Sequence, residues 1–116
     1  MVEAANPYDK AHELAQAIKA SNVYLDYLAA KRELEKDQEL KEKLLEFRTR
    51  QMEINRTQML GGEVPDGNIN EITLEFAKMN QKKEFADFFN AEGQFIQMFN
   101  DIQEIMQKAI ESGFEE

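Results

Sequence analysis

His12 is the only histidine in this sequence, and so the only side chain that ordinarily serves as both metal ligand and neutral-pH general base. A helical metal site built on it requires carboxylates at i+3 or i+4, and those places hold Ala15 and Gln16. It reads as a helix-surface residue. Acidic pairs recur: Glu35 with Glu39, Glu42 with Glu46, Asp101 with Glu104, and Glu115 with Glu116. In a chain of which 32% is charged, such neighbours arise by chance on solvated helix faces. Gly61 and Gly62 follow a helical pattern instead of preceding one. They therefore cannot present helix N-terminal amides to a phosphate, and they read as cap and turn residues. No serine, histidine and acid fall together as a triad requires. The sequence thus predicts no catalytic, cofactor-binding or metal-binding residue.

More telling are polar residues lodged within apolar stripes. Glu92 falls near the centre of an arc running from Phe85 to Phe99, Gln51 and Gln58 occupy seam positions of an earlier helix, and Arg48 lies at that stripe's edge. An unpaired buried carboxylate is costly, so Glu92 is expected to meet Arg48, Gln51 or Arg56, or to lie in a wet interface. Its simplest role is to fix register, as buried polar residues do in coiled coils, and its sharper role is partner recognition. The predicted interaction residues are Phe47, Arg48, Gln51, Phe85, Phe88, Phe89, Glu92, Phe95 and Phe99.

These residues need long helices to carry them. Asn6, Pro7 and Asp9 form a helix start, with an N-cap acceptor, a preset φ and an acid at the positive end of the dipole, and predict a helix over Pro7 to Ala20. Ser21 and Asn22 are cap-type residues, after which Tyr24, Leu25, Leu28 and Ala29 open a second short helix ending near Glu35 or Lys36. Asp37 is the expected N-cap of a third, whose stripe Leu40, Leu44, Phe47, Gln51, Ile54, Gln58 is spaced like a coiled-coil seam. Leu45, Met52 and Met59 add a second row. The only strong breaker run, Gly61 to Gly67, then turns the chain, and Asn68 or Asp66 is expected to cap a fourth helix bearing Ile69, Ile72, Phe76 and Met79. Asn80 and Gln81 loosen the chain before a last arm, Glu84 to Glu111. The predicted fold is all-α, a helical bundle built on a long antiparallel hairpin with two short N-terminal helices, in a single domain over residues 1–116.

The apolar side chains of the last arm cover close to 180° of its circumference, against roughly 100° for a helix facing one core. Such an arc wants two neighbours, and a chain of 116 residues has little left to supply both. Part of that surface is expected to meet another subunit or protein. A formal net charge of −9 opposes direct binding to phosphate backbones or anionic lipid. The absence of cysteine excludes disulfides and thiolate-bound metal within the chain. No apolar run approaches the roughly 20 residues that span a bilayer, and Met1 to Asn6 lacks the basic flank and apolar core of a leader, so the expected compartment is the cytoplasm. Asn55-Arg56-Thr57 is then a chance match to a glycosylation acceptor.

Over nearly its whole length the sequence resembles the YlbF/YmcA-like family of small helical bacterial proteins, and within it the YheA-type subgroup. The resemblance is carried by the Tyr8 to Ile18 helix with Ser21 through Tyr24, by Phe47-Arg48 with Gln51, by Gln58-Met59 leading into Gly62-Glu63, and by Asn80 followed by Ala91-Glu92. It implies a non-enzymatic regulatory or adaptor protein that forms homodimers or larger homo-oligomers through its long helices. It also implies a protein partner and an accessory role in RNA processing linked to competence, sporulation or biofilm control. Iron–sulfur clusters held by cysteines in some such proteins do not carry over to a cysteine-free chain, and no cofactor is expected. The competing expectation, from another class, is a chaperone-like helical hairpin that binds hydrophobic clients through its methionine and phenylalanine surface.

Overall fold

A computed structural model describes residues 6–114 and, among them, five α-helices and no strand. These are α1 (Pro7–Ala20), α2 (Asn22–Glu35), α3 (Gln38–Met59), α4 (Asp66–Met79) and α5 (Lys83–Phe114). The fold is the all-α bundle that the apolar periodicity predicts. The expectation of no leader falls largely on Met1 to Ala5, which, with the pair Glu115-Glu116, lies outside the described residues.

The helix ends follow from local chemistry. Asn6 Oδ1 accepts the Tyr8 N–H at 2.8 Å, with Pro7 at the first helical position. Ser21 makes a true break after α1, its backbone extended, and its Oγ both donates to the Ile18 carbonyl at 2.6 Å and accepts the Tyr24 N–H at 3.2 Å. Asp37 caps α3 as expected, its Oδ1 taking the N–H groups of Glu39 and Leu40 at 3.0 and 3.4 Å. At the far end of α3, Gly61 adopts φ +80°, its N–H bonds to the Gln58 carbonyl, and the Gly62 N–H bonds back to Thr57 at 2.9 Å. That pair of bonds is a Schellman motif, and it satisfies two carbonyls that the helix end leaves open.

The start of α4 differs from expectation. Neither Asp66 nor Asn68 is the cap; Pro65 holds that position with φ −55° and ψ 139° and no side-chain bond. The fixed proline φ sets the entry, which places Asp66 inside the first turn, where its charge faces the positive helix end. The break near Asn80 is real. Asn80 ends α4, with its amide Nδ2 donating to the Phe76 carbonyl at 3.1 Å, and α5 begins three residues later.

The chain divides into two compact units, one from Ala30–Asn90 and the other from the described parts of Met1–Ala29 and Ala91–Glu116. In the first, α3 and α4 make the closest backbone packing between elements. Phe47 stacks on Phe76 and, one turn on, Arg50 pairs with Glu75, so residue numbers rise on one helix as they fall on the other. The helix that returns on α3 after the glycine turn is therefore α4, and this antiparallel pair is joined by the start of α5. Leu34, Leu40, Leu44, Phe47, Met79, Phe85 and Phe88 form the core, with Leu34 at 0% and Phe47 at 1% exposure. Full burial of each such side chain contributes about 1.5–3 kcal/mol.

The second unit contains α1, the first part of α2 and α5 from Ala91 onward. Tyr24 and Tyr27 each meet the Phe95 ring at 5.3 Å between centroids. Among its described residues none is fully buried.

Candidate functional site

The predicted interaction residues divide between the two units. Within residues 30–90 the structure brings Phe47, Arg48, Gln51, Phe85, Phe88 and Phe89 together. Phe89 is the hub: its ring centroid lies 6.0 Å from Phe47, 4.8 Å from Phe76, 6.2 Å from Phe85 and 5.8 Å from Phe88. Arg48 donates from Nη1 to Gln51 Oε1 at 2.9 Å, and its guanidinium sits 5.6 Å from the Phe89 centroid and 6.0 Å from that of Phe88. The fork is thus held by an amide on its own helix and by two ring faces on α5, a cation–π arrangement. Phe47, Phe85 and Phe88 lie in the interior, so their apolar area is spent on the chain's own core.

Glu92, Phe95 and Phe99 belong to the other unit. Glu92 is half-buried and engaged, so no bare carboxylate is stranded in the arc. Phe95 is half-buried under the two tyrosines, while Phe99 is 46% exposed. Beyond it Ile105, Met106 and Ile110 are exposed by half or more. On the same part of α5, Gln97 donates to Asp101 at 2.8 Å and Lys108 pairs with Glu104 at 2.8 Å. The last arm thus keeps large apolar side chains exposed beyond Phe95.

Three side chains that matter were missed as site or core residues. Leu34, the most enclosed residue of α2, lies seven residues after Tyr27, a heptad spacing that points to it. Phe76, which the sequence places on α4 with no further role, touches both Phe47 and Phe89. Tyr24, a helix opener by sequence, is a ring contact of Phe95.

His12 has Asp9 three residues before it, but among the described residues no three His, Cys, Asp or Glu side chains gather as metal ligands. An open groove of about 600 Å³ runs between α3 and α4 over Leu74, Met79 and Phe85, rimmed by Lys43, Lys78 and Lys82 and by Glu46 and Glu71. Arg50 and Glu75 at its wall are paired with each other. No described helix is long and apolar enough to cross a membrane.

The described residues thus form an all-α protein that leaves large apolar side chains exposed on α3 and α5. Residues 8–111 match the family described as "Control of competence regulator ComK, YlbF/YmcA", and the chain belongs to that family. It is 28% identical over 106 residues to a UPF0342 protein of Caldicellulosiruptor saccharolyticus, covering 91% of this chain and 88% of that one. A UPF0342 protein of Staphylococcus epidermidis is 29% identical over 108 residues, covering 93% and 95%. Among solved structures, a protein of unknown function (DUF964) from Bacillus stearothermophilus superposes with a TM-score of 0.80 at 23% identity, covering 90% of this chain and 91% of that one. A chain of the Bacillus subtilis RicA–RicF complex superposes with 0.59 at 18% identity, covering 92% and 95%.

Proposed function

We propose that the chain is a non-enzymatic cytoplasmic regulatory adaptor, which works by helix-mediated association with other proteins and with copies of itself. The observation that carries this reading is the uncovered apolar run Phe99, Ile105, Met106 and Ile110 on α5, in a unit with no fully buried described residue. A family described by control of a competence regulator supports a regulatory role, and a RicA–RicF complex among the structural neighbours supports association between helical proteins as its means. Within this reading the chain serves RNA processing as an accessory that contacts proteins, since a net charge of −9 disfavours contact with the phosphate backbone.

The test is a pull-down at native expression with mass spectrometry, using the unaltered chain, Glu92→Ala and Phe99→Ala, followed by reconstitution of each hit from purified proteins. Native helical partners that bind stoichiometrically, and that at least one substitution releases while helicity persists, are the expected result. The second reading, a client-binding hairpin, is favoured by the outward row Leu45, Met52 and Met59, the last 87% exposed. Saturable capture of unfolded polypeptides with no native partner would replace the first reading by the second.

A further inference from the structure

We infer that the open groove between α3 and α4 is a binding site for an amphiphilic carboxylate, a single negative head on an alkyl tail. This goes beyond the adaptor reading and does not depend on it. The whole lining of the groove belongs to one compact unit, Ala30–Asn90. Its volume of about 600 Å³ falls within the range of about 300–1,000 Å³ that small-ligand sites occupy. Its apolar part is Leu74, Met79 and Phe85. Met79 and Phe85 belong to the core, with 7% and 2% of their surface open, whereas Leu74 is 64% exposed. The groove therefore has a closed apolar floor and, along it, a leucine left largely uncovered.

The charges along the groove select the occupant. Arg50 and Glu75 pair across it. Together with the stacking of Phe47 on Phe76, that pair fixes the antiparallel register, which sets Glu46 across from Lys78 and Lys43 across from the end of α4, beside Lys82. Lys43, Lys78 and Lys82 thus gather at one end with Glu46, while Glu71 lies beyond the Arg50–Glu75 pair at the other. Lining cations outnumber lining carboxylates by four to three, in a chain whose net charge is −9. One carboxylate neutralises that surplus of one positive charge. The lysines are free to turn to it. Lys78 is exposed and makes no ion pair among the described residues. Lys43 is held only by Glu39 at 3.5 Å and Lys82 only by Glu84 at 3.9 Å, with all four side chains well exposed. Exposed pairs contribute little, and a lysine ammonium on its flexible stem exchanges one carboxylate for another readily. From Lys78 back to Glu71, α4 runs about 10 Å, with Leu74 one turn from Lys78. A head held among the lysines therefore lays its tail over Met79, Phe85 and Leu74.

The experiment is titration of the full chain with dodecanoate, below the concentration at which it forms micelles, read by the methyl NMR signals of leucine and methionine. Saturable shifts at Leu74 and Met79 are expected. Hexanoate, with the same head and a shorter tail, should bind at least about ten-fold more weakly, because most of the apolar burial is lost. Dodecyltrimethylammonium, with the same tail and the opposite charge, should bind at least about ten-fold more weakly too, since it meets the lysines as like charges. Lys78→Gln and Lys82→Gln alter exposed side chains, and circular dichroism checks that both variants stay helical. Each should weaken dodecanoate binding about three-fold, and the two together about ten-fold. Met106→Gln, on the exposed face of α5, is the control and should leave the affinity unchanged. Shifts that do not saturate, or that centre on Met98 and Met106, overturn the inference. So does equal affinity for the cationic probe, and so does unchanged affinity in the double lysine variant. The hexanoate and cation arms use the unaltered chain, so they decide the matter even if a variant misfolds.

Discussion

Two phenylalanines separate what holds the chain together from what it offers to others. Phe47 is 1% exposed and lies between Phe76 and Phe89, so Phe47→Ala removes packed ring contacts and leaves a cavity. A loss of about 3–5 kcal/mol is expected, read as a lowered urea midpoint, and it is a large fraction of a typical domain's stability. Phe99 is 46% exposed. Phe99→Ala should change unfolding of dilute protein by less than about 1 kcal/mol, as surface substitutions do, while weakening self-association. Equal losses from the two variants would place Phe99 in the core. The turn residues give a second prediction at this scale. Gly61 has φ +80°, and a Cβ on Gly62 would lie 3.0 Å from Thr57 Cγ2 and 3.2 Å from its carbonyl oxygen. Gly61→Ala should therefore cost about 1–2 kcal/mol, from the left-handed conformation alone. Gly62→Ala should also destabilise, because one of its two close neighbours is backbone and cannot move aside. Thermal melts of both variants check this, and unchanged midpoints would mean that the turn readily takes another form.

At the scale of elements, much of the fold is legible because helix ends are written in short-range chemistry. Asn6-Pro7, Asp37 and Asn80 each act within a few residues of themselves, and each ends or begins a helix where its side chain predicts. Asp66 and Asn68 mislead because two cap-type residues follow a proline, and the proline's fixed φ decides the entry before either can act. The site was less legible for a different reason. Periodicity shows that a face is apolar but not what covers it, so Phe85 and Phe88, now interior, looked the same in sequence as the exposed Phe99. One residue of α5 runs against helix propensity: Gly93 lies inside the helix, and a Cβ there would meet nothing within 4 Å. Gly93→Ala should stabilise the chain by about 0.5–1 kcal/mol, since the glycine costs backbone entropy and serves no packing. A melt raised by a few degrees is the expected reading. A lowered one would show that the bare backbone is itself used.

For the whole molecule, the balance between apolar attraction and net charge sets how association responds to salt. Each copy carries −9, so bringing two together costs repulsive free energy that dissolved ions screen, with a Debye length of about 10 Å at 0.1 M. If the contact is the apolar face of α5 that carries Phe99, Ile105, Met106 and Ile110, no ion pair crosses it to be weakened by the same ions, because at 100° per residue Asp101, Glu104, Lys108 and Glu111 fall on the far side of the helix and Asn100, Gln103 and Gln107 border the face. Self-association should then strengthen as sodium chloride rises from about 20 to 300 mM, by several-fold in the dissociation constant, and it should be accompanied by a negative heat-capacity change from apolar burial. A contact built on the other exposed row behaves differently. Leu45, Met52 and Met59 share their side of α3 with Lys41 and Arg56 and border Glu42 and Glu53, so pairing through them would place ion pairs at the join, and salt would loosen it. Sedimentation at the two salt concentrations therefore distinguishes the faces without any substitution. Tighter pairing at high salt assigns the contact to α5, and weaker pairing assigns it to α3.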